Sequence, residues 1–179
     1  LQVMALQETL LREGAYALRL RGYTVAETHR ANDGAQGLGV ALLVHNRLAP
    51  SQTNVRERIK TPHVVWLRVD ALWPGRAVYV ASVYCKAGAR VLQRVGRAAR
   101  DFVRAGAEVM LLGDFNLTPD KAVKRLASVG FEGVLAQVVG SAATYHRSGV
   151  AKSAIDHIVC SPALAVLVGR CRVLRAQGL

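Results

Sequence analysis

The chain has 179 residues, 51% of them apolar, enough to fill one sizeable core and to exclude a disordered polar chain. The 24 lysines and arginines outnumber the 12 acidic residues, and the resulting charge of +12, carried mostly by arginine, favours a polyanionic partner, although a solvated basic surface has the same composition. Three cysteines without C-x-x-C spacing argue against a disulfide framework or a structural zinc, and no apolar run reaches the length of a membrane span.

In chain order, residues 3–6 read as a short buried strand and residues 10–20 as a helix closed by Gly22. The apolar runs at 23–28 and 38–44 flank the turn-forming cluster 31–37 and read as a hairpin. Residues 63–72 and 76–85 alternate with a period of two around Trp73-Pro74-Gly75, as paired antiparallel strands do. From 90 to 104 the period changes. Val91, Val95, Ala98 and Phe102 fall on one helical face, with Arg90, Arg94, Arg97 and Arg104 on another. A strand at 108–112 ends in Gly113-Asp114-Phe115-Asn116, Pro119 opens a helix to about Val129, and strands follow at 155–160 and 172–174. The expectation is one domain over 1–179: a core of two sheets flanked by helices, with the chemistry at strand ends and loops.

Three carboxylates end otherwise apolar strands. Asp114 and Asn116 stand at i and i+2, which in extended backbone puts both on one side, with Phe115 turned into the core; an Asp that orients water and an amide that holds a phosphate oxygen suit metal-assisted phosphoester hydrolysis. Glycine, Asp and Asn are also turn formers, so the same run reads as a turn. Glu8 follows the first strand, where a hard cation such as Mg²⁺ would balance it, or where it could open the next helix. Asp156 lies between apolar neighbours, where an unpaired charge is costly.

The ordered set Leu6-Gln7-Glu8-Thr9, Ser82-Val83-Tyr84, Gly113-Asp114-Phe115-Asn116 and Ile155-Asp156-His157-Ile158 resembles the endonuclease/exonuclease/phosphatase superfamily of apurinic/apyrimidinic endonucleases and DNase I. The subfamily most resembled is the endonuclease domain of non-LTR retrotransposons. The resemblance implies an α+β, four-layer sandwich of two mainly antiparallel β-sheets flanked by helices. It implies Glu8 as metal ligand, Tyr84 near the scissile phosphate, Asp114 positioning or activating the attacking water, Asn116 assisting it, and Asp156 as an orienting carboxylate. Mg²⁺ is the implied cofactor, with Mn²⁺ as a substitute. Lys86, Arg94, Arg97 and Thr144 are further candidates for phosphate or nucleic-acid contact.

The match also departs from the family. Its first strand and its C-terminal Ser-Asp-His motif are not found in 1–179, so a domain cut short at both ends is expected, with little or no activity of its own. Cys85-Lys86-Ala87 stands where relatives carry a polar pair, and Ala154 where many place an Arg. Strand alternation sends His157 to the face opposite Asp156, so it reads as structural; His146 is a weaker candidate for the missing base. The expected function is metal-dependent phosphodiester hydrolysis, as a DNA-nicking endonuclease within a retrotransposon-like protein carrying a downstream reverse transcriptase. Such a protein would be intracellular, without a membrane anchor, and nuclear if it serves a retrotransposon. The alternatives are a phosphatase or other phosphodiesterase of the same superfamily, and a non-catalytic nucleic-acid-binding remnant.

Overall fold

The computed structural model describes residues 2–11, 17–29, 39–52, 63–85, 90–136, 138–139, 145–147, 150–153, 155–168 and 171–172. The first sheet contains β1 (Val3–Leu6), β2 (Tyr23–Glu27) and β3 (Ala41–His45), in the order β1-β3-β2 and antiparallel throughout. After a short 3-10 turn, β4 (Pro50–Gln52) leads to β5 (Val64–Trp73) and β6 (Arg76–Tyr84). Helix α1 (Val91–Arg104) crosses over from β6 to β7 (Glu108–Asp114), which pairs parallel to β6, and α2 (Pro119–Ala127) follows. The short strands β8 (Val134–Leu135), β9 (Val138–Val139), β10 (Tyr145–Arg147) and β11 (Val150–Ser153) precede β12 (Asp156–Cys160), α3 (Pro162–Ala165) and β13 (Cys171–Arg172). The larger sheet runs β4-β5-β6-β7-β12-β8, and among its described strands β6 and β7 pair parallel while the others pair antiparallel.

Two cores sandwich this larger sheet. Between the sheets, Leu42 and Val44 of β3 meet Val65, Leu67, Val69, Val78 and Val80 of β5 and β6. On the other face, Val95 and Ala99 of α1 and Ala122 and Leu126 of α2 cover Ala81, Val83, Val109 and Leu111. β5 and β6 are therefore buried on both faces along much of their length, and the simple in-and-out alternation expected of them holds only over residues 67–70 and 77–80. Gly96 lets the helices pack closely, because a Cβ there would press against Val129 and Leu126.

The helix expected over 10–20 is not helical at its described ends. Glu8 and Leu10 hold left-handed backbone at φ 52 and 56, and the Thr9 amide donates to the Gly39 carbonyl at 3.0 Å, which carries the chain across to the start of β3 instead of into a helical turn. Residues 12–16 lie outside the described set, as do 173–174 of the last expected strand. Among the described residues no helix is long and apolar enough to cross a membrane.

Candidate active site

The candidate site forms where strands end. In the larger sheet Tyr84, the last residue of β6, lies opposite Asp114, the last of β7, and Asp114 lies opposite Asp156, the first of β12. Residues opposed across neighbouring strands present their side chains to one face. Alternation identifies that face: Ser82, Tyr84, Leu112 and Ile158 belong with the inter-sheet side, whereas Val83, Phe115 and His157 belong with the helix side. The row Tyr84–Asp114–Asp156 therefore caps the core between the two sheets, and Glu8 reaches the same edge from the loop after β1.

Tyr84 links the pieces. Its hydroxyl is within hydrogen-bonding reach of Glu8 and Asn116, and its ring stacks against His63 at a centroid distance of 6.0 Å. Burial, then the Glu8 carboxylate, pushes the Tyr84 hydroxyl up to about 12, so it stays a proton-bearing donor at neutral pH. Burial also raises Asp114, to about 6; the charges of Asp156 and Glu8 push the same way, against the backbone N–H of Asn116, which donates to Asp114 Oδ1 at 2.8 Å. That hydrogen bond closes a turn in which Asn116 has φ 48. Asn116 thus reaches Asp114 and Tyr84 through an Asx-type turn, not through extended i, i+2 alternation, because the strand stops at Asp114. The run is the turn that its composition suggested, and that turn brings Asn116 beside Asp114 and Tyr84.

Gly113 makes this approach of β6 and β7 geometrically allowed. Its φ of 144 is unfavourable for other residues, and a Cβ there would collide with the Val83 carbonyl oxygen. A bridge between the sheets lay beyond the reach of the motifs: Gln7 Nε2 donates to Ser82 Oγ at 2.9 Å, and Ser82 Oγ donates to the Leu6 carbonyl at 3.1 Å. Ser82 is fully buried, two residues before Tyr84, and Gln7 directly precedes Glu8. A polar residue on the inter-sheet face of an apolar strand was the available signal.

His157 packs on the helix side, with Nε2 2.7 Å from the Leu117 carbonyl oxygen and its ring edge-on to Phe115. Arg94 and Arg97 are exposed on α1, outside the group of side chains around Tyr84 and Asp114. Lys86, Thr144 and Ala154 lie outside the described residues, and of His146 only the backbone, in β10, is described. Among the described residues no three His, Cys, Asp or Glu side chains are grouped closely enough to encage a metal by themselves. Glu8 and Asp114 nevertheless fit a hard cation: both are oxygen donors at one edge, and neither has an ion pair with a described Lys or Arg. Mg²⁺ in particular uses one or two carboxylates and takes its other ligands from water and phosphate.

Comparison with known proteins agrees with this architecture. The model of the Endonuclease/Exonuclease/phosphatase family matches residues 2–176, and the chain belongs to that family. Its fold is that of the catalytic domain of Xenopus laevis APE2, at TM-score 0.60 and 14% identity over 92% of this chain and 75% of that one. The AP endonuclease LMAP from Leishmania major gives TM-score 0.57 and 11% identity over 92% and 71%. Truncated Caenorhabditis elegans TDP2 gives 0.53 and 17% over 89% and 70%. No curated protein matches the chain by sequence.

Proposed function

We propose that the chain is a Mg²⁺-dependent phosphodiesterase acting on nucleic acid, with DNA as the principal substrate and single-strand nicking as the reaction, as in a retrotransposon endonuclease. The observation that carries the reading is the strand-end row Tyr84–Asp114–Asp156, completed by Glu8 and Asn116. Ionised Asp114 orients the attacking water and accepts its proton; the Asn116 amide and the Tyr84 hydroxyl, held as donors, stabilise charge on the phosphate oxygens. Asp156, opposite Asp114, is the orienting carboxylate. Glu8 would hold the cation, with Asp114 beside it, and a bound Mg²⁺ supplies charge neutralisation at the phosphate. The net charge of +12 and the likeness to the AP endonuclease LMAP support DNA over a small ester.

The test is nicking of supercoiled plasmid with Mg²⁺ or Mn²⁺ by the wild-type chain and by Asp114→Ala. Metal-dependent nicking that Asp114→Ala loses by about a hundredfold or more supports the proposal. Release of phosphate from small monoesters without nicking would replace it with a phosphatase, and binding without any hydrolysis would replace it with a nucleic-acid-binding module.

A further inference from the structure

The two helices of the outer layer share one orientation relative to the site. α1 begins shortly after Tyr84 at the end of β6, and α2 shortly after Asn116, so both start at the catalytic end and run back along the sheet. Their outer faces are basic: Arg90, Arg94, Arg97 and Arg104 on α1 and Lys121 and Lys124 on α2 are all exposed. Of the described ion pairs none involves these six residues; the exposed carboxylates of the two helices are Asp101, held by Arg100 at 2.9 Å, and Asp120 in the first turn of α2. A helix face this basic repels itself, and a polyanion laid along it removes that repulsion.

We infer that the outer face of the α1–α2 layer is a second nucleic-acid surface, a track for the phosphate backbone on one side of the cleavage position. α1 has 14 residues and extends about 20 Å, the reach of several consecutive phosphates. Charge selects the occupant: Arg90 lies at the catalytic end of α1 and Arg104 at the far end, and the six exposed cations outnumber Asp101 and Asp120, so the face suits a polyanionic strand leaving the site. Guanidinium forks match phosphate oxygens, and four of the six cations are arginine. Contacts made to phosphates carry no sequence information, so binding along this track is indifferent to sequence. This inference rests on the nucleic-acid reading of the site, but its test does not pass through hydrolysis.

The experiment is fluorescence anisotropy of a labelled DNA duplex across a salt series in EDTA, with wild type, Arg94→Ala/Arg97→Ala, and Arg68→Ala as a control cation elsewhere on the surface. The slope of log K against log salt should fall by about 0.9 for each phosphate that is no longer neutralised, so by nearly two for the double variant, and stay unchanged for the control. Circular dichroism checks that the exposed substitutions leave the fold intact. An unchanged slope in the double variant overturns the track, while plasmid nicking separately decides the reading of the site. A flat slope in the wild type also overturns it, and displacement of the duplex by equal charge concentrations of polyglutamate or anionic vesicles would assign the face to an acidic protein or a membrane.

Discussion

Asp114 and Asp156 face one another directly across β7 and β12, so two carboxylates share one edge of the sheet. Burial and the neighbouring charges of Asp156 and Glu8 raise Asp114 from 3.8 to about 6. A carboxyl group whose folded-state value is raised weakens the folded state wherever it is ionised. The penalty is absent below about pH 4, grows between 4 and 6, and is complete above 6.

Asp114→Asn should therefore stabilise the metal-free protein at pH 7.5 and leave it nearly unchanged at pH 4, since the amide still accepts from the Asn116 N–H. Melting in EDTA at the two pH values checks this, with a gain of about 2–4 °C expected for each kcal/mol of relieved repulsion. An equal gain at both pH values would remove the electrostatic explanation.

Under the proposed function the same shift would set the response to metal. At pH 5 most Asp114 carries a proton and can neither ligate a cation nor accept a proton from water. Stabilisation by Mg²⁺, read as the rise in Tm on adding the ion, should be small at pH 5 and grow as pH passes about 6. A rise that is the same at pH 5 and pH 7.5 would exclude Asp114 from the metal's surroundings.

Tyr84→Phe keeps the ring against His63 and deletes the hydroxyl between Glu8 and Asn116. Turnover should fall by about a hundredfold, the usual cost of one oxyanion donor, with only a small change in Tm. Because burial and Glu8 hold that hydroxyl at about 12, the ratio of wild-type to variant rates should be constant from pH 6.5 to 9. A ratio that changes across that range would mean that Tyr84 exchanges its proton during the reaction.

Much of this was legible in the sequence because strand ends announce themselves: apolar runs stop at Asp114 and begin again after Asp156, and the pattern around 91–104 fixes a helix with an exposed basic face. The conformation of residues 8–10 was not legible, because it depends on the hydrogen bond of Thr9 to Gly39, some 30 residues away, which overrides local helix propensity. Nor was the turn at Asn116 separable from extended backbone, since its decisive hydrogen bond is made by Asp114's own side chain. Double-sided burial of β5 and β6 obscured which face each residue takes, and with it the role of Ser82.

Gly113 isolates a steric requirement of the site. Gly113→Ala places a Cβ against the Val83 carbonyl oxygen and forces an unfavourable φ, whereas Gly75→Ala, at φ 76 with nothing near its Cβ, meets backbone strain alone. Strain costs about 1–3 kcal/mol, so Gly113→Ala should exceed Gly75→Ala in loss of stability, measured as denaturant midpoints. Equal losses would show that β6 and β7 can part without cost.

The Gln7–Ser82 bridge joins the loop that carries Glu8 to the strand that carries Tyr84, and it is the described side-chain hydrogen bond between β6 and the β1 end. Ser82→Ala removes the acceptor for Gln7 Nε2 and the donor to the Leu6 carbonyl together. Leaving part-buried polar groups unsatisfied costs about 1–3 kcal/mol, so both Ser82→Ala and Gln7→Ala should destabilise. Because they break one shared interaction, their effects should not add: a double-mutant cycle should return a coupling of about 0.5–3 kcal/mol. The functional consequence differs from a general loss of stability. With the bridge cut, Glu8 keeps only its own loop and the Tyr84 hydroxyl to position it, so the apparent Mg²⁺ affinity should weaken in both single variants at temperatures where each remains fully folded. Isothermal titration with Mg²⁺ measures this directly. A coupling near zero, or an unchanged Mg²⁺ affinity in a variant that has lost stability, would reduce the bridge to packing and leave Glu8 positioned by the Thr9–Gly39 hydrogen bond and the Tyr84 hydroxyl.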